Sequence, residues 1–239
     1  MLLQACLRIL NFLYILLFGN MPRPRRTPEP FSLRHRSTVF HPHILSQTQQ
    51  KYFPIFAEIP TDDDIYTADC HYCLLVEIVE IVPYLRPTFR VKDKADREFI
   101  VMFYLDRGTE VPREEWKTSC REGGVMMIKG AMNHQFMDGQ VGVRVEDVED
   151  VKMLPCNLQA LLHISDEVTK PGAPETHRKC YLCEKPADLK CSRCVVRYCG
   201  KACQALDLKA SHKDECAAIH LVSEWKKKEW DDVDVYWKF

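Results

Sequence analysis

Seven cysteines and one histidine form closely spaced pairs between residues 180 and 216 of this 239-residue chain. The four pairs are Cys180 with Cys183, Cys191 with Cys194, Cys199 with Cys203, and His212 with Cys216. Structural zinc takes four thiolate or imidazole ligands and keeps no open position. Eight such ligands therefore predict two closed zinc sites. Buried or disulfide-paired cysteines are the alternative, but pairs at this spacing rarely arise by chance.

A segment as short as residues 180–216 cannot bury enough apolar surface to fold alone. Structural zinc contributes an apparent ~10 to 16 kcal/mol to the folding of such units at neutral pH. We therefore expect the metal to stabilise this module, and we expect the loss of a ligand to unfold it.

The residues around the ligands resemble those of the MYND-type zinc finger. The matching stretches are Cys191-Ser192-Arg193-Cys194, Arg197-Tyr198-Cys199, Lys201-Ala202-Cys203-Gln204, Asp207 and His212-Lys213. The resemblance implies an interleaved ligand arrangement. One zinc ion is then held by Cys180, Cys183, Cys199 and Cys203, and the other by Cys191, Cys194, His212 and Cys216.

MYND-type fingers receive short proline-containing peptides on a surface beside the ligands. The resemblance makes four residues candidates for that surface, namely Tyr198, Gln204, Asp207 and Leu208. The family commonly has Trp where this chain has Leu208, and leucine offers less area and no N–H donor. Because eight ligands close both zinc sites, we expect no catalytic residue, no small-molecule substrate and no enzymatic activity.

Strand-like apolar runs occupy residues 72–82, 88–92, 98–105, 125–129 and 141–145, and a helix start is predicted at 112–120. Three strands, a helix and two strands resemble the OB-fold in order. The predicted fold class is mostly β with short helices. An OB-like five-stranded barrel over 70–158 is followed by a small two-zinc MYND-type module over 180–216.

An OB-fold binds ligands on strands 2 and 3 and the adjoining loops. The candidates for single-stranded nucleic-acid binding are Tyr84, Arg86, Phe89, Arg90, Lys92, His134 and Phe136. Aromatic rings could stack on bases while cations follow the phosphates. The alternative is that Phe89 is a core residue and that Arg90 and Lys92 form a solvated face. Many acidic residues nearby and a formal net charge of -1 favour this alternative.

The N-terminal segment 1–20 contains a dense apolar run, ILNFLYILLF, at residues 9–18. A bilayer span needs about 20 apolar residues, so a membrane anchor has to extend back to residue 2. The three arginines within 23–26 would then hold the remainder in the cytosol. A secretory signal fits poorly because no small-x-small cleavage site follows. A start at Met21, with the leader an artefact of gene prediction, is the third interpretation.

The rest of the chain divides by composition. Residues 21–69 are predicted as a disordered arm, basic at first and then acidic, and residues 159–179 as a linker. The tail 217–239 carries Trp225, Trp230, Tyr236 and Trp237, which either pack on the rest of the protein or bind a partner. Cys73 is expected to be a buried thiol.

The cysteine usage is typical of a reducing compartment, where thiolates bind metals instead of forming disulfides. We therefore expect the nucleus or the cytoplasm. The predicted function is a zinc-binding adaptor whose MYND-type finger recruits a protein partner. A proline-rich peptide of that partner is one candidate for the bound segment. The alternative is a single-stranded nucleic-acid-binding protein that uses the barrel.

Overall fold

The computed structural model describes residues 51–64, 71–106, 111, 114–169, 178–228, 230 and 239. The N-terminal segment 1–20, with its membrane, signal and artefact interpretations, lies outside these residues, and so does most of the predicted arm. Within the described part of the chain, no helix is long and apolar enough to cross a membrane.

Seven strands form the main sheet of the described residues, in the order β5-β6-β3-β2-β1-β4-β7. They are β1 (Cys73–Val82), β2 (Thr88–Asp93), β3 (Glu98–Phe103), β4 (Val125–Lys129), β5 (Asn133–Gln135), β6 (Val141–Val145) and β7 (Val151–Leu154). All pairs are antiparallel except β3 with β6, which is parallel. The mostly β architecture with short helices is therefore confirmed.

The five-stranded closed barrel was a wrong prediction, because the sheet has seven strands and β5 and β7 remain as its two edges. The sheet is nevertheless strongly curled. Only residues 130–132 separate β4 from β5, although these strands lie towards opposite ends of the strand order. Three residues span at most about 10 Å. The two ends of the sheet must therefore approach each other.

The helix expected at 112–120 is reduced to a 3₁₀ turn at Glu114–Trp116 among the described residues. This turn places Trp116 in the core, where its ring lies edge-on to that of Phe103 with ring centres 6.3 Å apart. The run Pro83–Pro87, which connects β1 to β2, forms an exposed loop in which Leu85 is 97% exposed.

The first half of the predicted linker 159–179 is helix α1 (Leu158–Thr169). The Asn157 side chain accepts a hydrogen bond from the Ala160 N–H at 2.7 Å, which satisfies one of the free donors at the helix start. Apolar residues spaced three or four apart place one face of α1 in the core, namely Leu158, Leu161, Ile164 and Val168. This spacing overrides the linker prediction, which rested on the Pro and Gly residues further on.

The end of the predicted disordered arm is also folded. Tyr52, Phe53, Phe56 and Ile59 are buried. The Cys73 N–H donates to the Tyr52 carbonyl at 2.8 Å, and the Phe56 N–H donates to the Asp93 carboxylate at 2.8 Å. Residues 51–64 therefore belong to the sheet domain, because their rings fill its core and their backbone bonds to it.

The described residues form two apolar cores. One lies inside the curled sheet and includes Phe89, Val101, Phe103 and Trp116. The other lies on the opposite face of β1 and β4 and continues through α1 into the zinc-ligand segment. Cys73, at 0% exposure, sits in this second core, and burial raises the pKa of its thiol. The prediction of a buried thiol at this position agrees with its location.

The C-terminal residues of the second core come from helix α3 (Lys213–Trp225) and from Trp230. Phe53 stacks obliquely on Trp225 with ring centres 5.0 Å apart and meets Trp230 edge-on at 5.1 Å. Lys226 donates to the Val168 carbonyl of α1 at 3.0 Å. Arg121 donates to both the Pro155 carbonyl and the Asp214 carboxylate. Trp225 and Trp230 therefore pack within the molecule.

We predict that Trp225→Ala will lower the free energy of unfolding by about 3 to 5 kcal/mol, because it leaves a cavity where α3 meets the sheet domain. The measurement is urea unfolding of the zinc-loaded chain, followed by circular dichroism. Tyr84→Ala is the matched control, since Tyr84 is 64% exposed and its removal should change stability by under about 0.5 kcal/mol. An equal change in the free energy of unfolding in both variants would contradict the packing of Trp225 in a core shared by α3 and the sheet domain.

Candidate metal centre

A short hairpin of β8 (Leu189–Lys190) and β9 (Arg197–Tyr198) positions three of the ligands. Cys191 and Cys194 lie in its turn, and Cys199 follows its second strand. The Cys191 N–H donates to the Val196 carbonyl at 2.8 Å and closes this turn. The first pair lies in a turn closed by the Cys180 N–H, which donates to the Lys185 carbonyl at 2.7 Å.

The remaining ligands lie on one continuous helical segment. It consists of α2 (Lys201–Asp207), a π-helical turn (Leu208–His212) and α3. Cys203 lies in α2, His212 ends the π turn, and Cys216 lies in the first turns of α3. Positions i and i+4 share a helix face, so His212 and Cys216 point in the same direction.

The structure brings these eight residues together in two clusters. One contains Cys180, Cys183, Cys199 and Cys203, and the other contains Cys191, Cys194, His212 and Cys216. In each cluster the ligand atoms all lie within 4.8 Å of one another. These are the two interleaved sets that the resemblance implies. We call them the first and the second cluster.

The distances within the clusters fit tetrahedral zinc. Zn–S bonds of about 2.3 Å at tetrahedral angles place two sulfurs about 3.8 Å apart, and a sulfur and an imidazole nitrogen about 3.5 Å apart. In the first cluster, the Sγ of Cys183 lies 3.5 Å from that of Cys199 and 3.9 Å from that of Cys203. In the second, the His212 Nε2 lies 3.4 Å from the Cys191 Sγ and 3.6 Å from the Cys194 Sγ.

The electrostatics of the thiols also fit a bound cation. Burial opposes ionisation of Cys180, but hydrogen bonds from the backbone of Cys199, Cys183 and Leu182 lower the pKa of its thiol to about 6. At Cys203, the hydrogen bond with the Cys199 side chain and burial raise the pKa to about 12. Several thiolates in one cluster repel each other. A bound divalent cation offsets this repulsion, so that all the cysteines of the cluster can be ionised together.

The two clusters differ in their access to solvent. Cys183 and Cys199 of the first cluster are exposed, and Cys203 is half-buried. In the second cluster Cys194, His212 and Cys216 are buried and Cys191 is half-buried, and Cys194 and Cys216 belong to the core that joins the ligand segment to the sheet. The second cluster is therefore also a packing element.

Four ligands on each of two interleaved clusters define a structural two-zinc finger. Residues 180–216 match the family model of the MYND finger. This match and the two clusters confirm the prediction of a MYND-type module with two zinc sites.

The chain is also similar to parts of three ubiquitin hydrolases. Ubiquitin carboxyl-terminal hydrolase 15 of Arabidopsis thaliana is 30% identical over 122 residues, 49% of this chain and 12% of the relative. Ubiquitin carboxyl-terminal hydrolase 19 of the same plant is 40% identical over 57 residues, 23% of this chain and 8% of the relative. Ubiquitin C-terminal hydrolase 15 of Oryza sativa subsp. japonica is 40% identical over 47 residues, 19% of this chain and 5% of the relative. The chain thus spans about an eighth or less of these proteins' lengths.

Tyr198 and Asp207 are buried at 0% and 3% exposure, so the structure does not place these two candidates on a peptide-binding surface. The Tyr198 hydroxyl instead donates to the Asp207 carboxylate at 2.7 Å. The same carboxylate oxygen lies 3.5 Å from the Nδ1 of His212, whose Nε2 faces the second cluster. A carboxylate behind a ligand histidine fixes the ring orientation and strengthens metal binding. The sequence offered no signal for this contact, because it depends on how β9 meets α2.

The other two peptide-binding candidates are accessible. Gln204 is half-buried and Leu208 is 42% exposed, one and five positions after Cys203 on the helical segment. Leu206 is 61% exposed but lies two positions from each of them and so faces another side of the helix, and Leu182 in the first ligand turn is 38% exposed. Leu206 was not among the predicted residues.

The predicted nucleic-acid face is largely neutralised or buried. Arg90 pairs with Glu80 at 3.1 Å, and Lys92 pairs with Glu77 at 3.4 Å. His134 pairs with Asp62. Phe89 and Phe136 are 2% and 6% exposed, so neither ring is free to stack on a base. Only Tyr84 and Arg86 of the seven candidates are exposed without an acidic partner within the described residues. The alternative of core residues and a solvated face describes this surface better.

We predict that native mass spectrometry will find two zinc ions per chain and one in Cys199→Ser, which removes an exposed ligand of the first cluster. The loss of a ligand is expected to unfold a module that folds alone, but the core shared with the sheet should hold the ligands of the second cluster in place, so that this cluster keeps its ion. Cys120→Ser is the matched control, since Cys120 lies outside both clusters and should leave two ions bound. Loss of both ions in Cys199→Ser would contradict independent sites.

We also predict that Asp207→Asn will weaken zinc binding at the second cluster by about 10- to 100-fold, because it removes the charge behind His212. Competition with a chromogenic chelator measures this affinity. Asp188→Asn is the control, since Asp188 is exposed and outside both clusters. An unchanged zinc affinity in Asp207→Asn would show that the carboxylate does not support the ligand.

Proposed function

We propose that this protein is a non-enzymatic adaptor whose MYND finger binds a segment of a partner protein. The observation that carries the proposal is the accessible surface of α2 and the π turn formed by Gln204 and Leu208, which lie four positions apart and share a helix face just after the first-cluster ligand Cys203. A helix that carries a metal ligand is held in place by the metal. A rigid apolar surface of this kind suits protein recognition, because little order has to be gained on binding.

The absence of an open ligand position supports a structural role for both zinc ions. Catalytic zinc keeps one position for water or substrate, whereas each cluster here offers four protein ligands. The relatives are ubiquitin hydrolases, and the similarity covers at most 12% of each of them. For this chain we propose recruitment of a partner and not their hydrolase activity.

A proline-containing apolar segment is the ligand that we propose for this surface. Proline pre-forms an extended conformation, so such a segment loses little entropy on docking. Leu208 would contact its apolar side chains, and the Gln204 amide would bond to its backbone. A reducing compartment, the nucleus or the cytoplasm, would keep the exposed Cys183 and Cys199 reduced and able to bind zinc.

We predict that a double variant, Gln204→Ala with Leu208→Ala, will bind proline-rich peptides at least about tenfold more weakly than the wild type, as expected for central contact residues. Fluorescence anisotropy with a labelled peptide measures the affinity. Leu85→Ala is the matched control, since Leu85 is a fully exposed leucine on the sheet domain. Identical affinities of the wild type and the double variant, with two zinc ions bound in each, would remove this surface from consideration.

A further inference from the structure

Two arginine side chains lie over one tyrosine ring at the end of β3. The Cζ atom of Arg86 lies 4.2 Å from the ring centre of Tyr104, and that of Arg144 lies 4.6 Å from it. The two guanidinium groups are therefore at most about 9 Å apart, and each gains a cation–π attraction to the same ring. We call these three residues the Arg–Tyr–Arg cluster.

The backbone positions of the cluster are fixed by the sheet. The Thr88 hydroxyl donates to the Arg86 carbonyl at 2.9 Å, and the Phe103 N–H donates to the Pro87 carbonyl at 3.0 Å. The Tyr104 N–H donates to the Val145 carbonyl at 2.7 Å. Arg144 lies within β6, which pairs with β3. A ligand of this cluster would therefore meet groups that are already in place, which lowers the entropic cost of binding.

The charge of the cluster is only partly neutralised. Arg144 bonds to Glu146 through one guanidinium nitrogen, whereas Arg86 has no carboxylate partner among the described residues. A guanidinium has five N–H donors, so most donors of the pair remain available. Arg90 and Lys92 on the neighbouring strand β2 differ, because both are paired with acidic residues. The cluster thus carries two guanidinium charges against the one carboxylate of Glu146, which leaves a net positive charge at this place on the sheet.

Apolar groups surround this charge. The Phe136 ring lies nearly parallel to that of Tyr104, with ring centres 6.4 Å apart. It covers Gly142, where an added Cβ would lie 3.1 Å from the Phe136 ring and 2.0 Å from the Ile100 carbonyl oxygen. Tyr84 and Leu85, in the loop that carries Arg86, are 64% and 97% exposed. An exposed apolar loop beside two guanidinium groups fits a ligand that is both acidic and apolar.

We propose that the Arg–Tyr–Arg cluster binds an acidic, apolar peptide segment of a partner protein, with one carboxylate held by Arg86. A guanidinium holds a carboxylate through two parallel N–H···O bonds, and Arg86 can offer them because it has no carboxylate partner among the described residues. Arg144, within about 9 Å of Arg86, adds positive charge that Glu146 partly offsets. Tyr84 and Leu85 contact apolar side chains of the segment. This site lies on the sheet domain and acts in addition to the finger surface.

A peptide fits this surface better than a nucleic-acid strand does. A strand carries a phosphate at every nucleotide, but the Glu146 carboxylate lies against Arg144, and the Glu80 carboxylate lies against Arg90 on the neighbouring pair of strands. Those charges repel a polyanion and leave room for a single anion. The partner chemistry that matches is therefore one acidic residue flanked by apolar residues.

The experiment uses the zinc-loaded full chain and a short fluorescein-labelled peptide of alternating Glu and Leu. We expect it to bind more tightly than a peptide with Gln for Glu, and more weakly as salt is added. Arg86→Ala should weaken binding about tenfold or more, since it removes the charge-assisted hydrogen bonds to the carboxylate, and Arg144→Ala should weaken it less, since Arg144 is already paired with Glu146. Arg90→Ala is the matched control, because Arg90 is already paired with Glu80 and should leave the affinity unchanged.

Several outcomes would overturn the proposal. They are an absence of binding, equal affinity for the Glu and Gln peptides, or equal losses in Arg86→Ala and Arg90→Ala. Tighter binding of oligo-dT than of the Glu peptide would identify a nucleic-acid surface instead. Zinc content and circular dichroism of each variant show whether it folds, and Tyr104→Phe, which keeps the ring, should retain binding. The Leu208→Ala variant should bind the Glu peptide normally, which separates this site from the finger surface.

Discussion

Zinc binding by the second cluster is the interaction on which the packing of the C-terminal half depends. Three of its four ligands are buried and Cys191 is half-buried, and Cys194 and Cys216 share an apolar core with Leu75 of the sheet and Trp225 of α3. Structural zinc supplies an apparent ~10 to 16 kcal/mol to such modules, which is comparable with the whole stability of a domain. The metal therefore stabilises the finger and also the contact between the finger and the sheet.

The first cluster has a different consequence. It lies at the surface and fixes the end of β9 against the start of α2, where Gln204 and Leu206 follow its last ligand. Exposed apolar residues on an isolated helix of seven residues would not keep a defined arrangement, since short helices are marginal in water. One metal site thus anchors the finger to the sheet, while the other holds the surface that we propose for partner binding.

The ligands and most of the sheet could be predicted from the sequence because both signals are local. Cysteine spacing identifies a metal site directly, and β1 to β4 carry long β-branched or alternating runs. Strand β5 (Asn133–Gln135) has three polar residues and no such pattern, and it exists because β6 provides its hydrogen-bond partner. Helix α1 was predictable from its apolar spacing, but the Pro and Gly residues after it favoured a linker.

The burial of Tyr198 and Asp207 could not be predicted, because the resemblance specifies residue types and not their directions. Which side a residue of α2 faces is set by the hairpin that packs on it. Asp207 is the last residue of α2, and its carboxylate lies between the Tyr198 hydroxyl and the His212 ring. This tertiary contact alone decides whether Asp207 belongs to a peptide-binding surface or supports the ligand His212.

The π turn between α2 and α3 explains how one helical segment serves two metal sites. Cys203 and His212 are nine positions apart, so in an uninterrupted α-helix they would point about 180° from each other. The π turn at Leu208–His212 adds one residue to a turn and changes the phase by about 100°. The two ligands then point about 80° apart, towards the same side of the segment. Both clusters can therefore form between this segment and the β8–β9 hairpin, and the interleaved order of the ligands follows from that geometry.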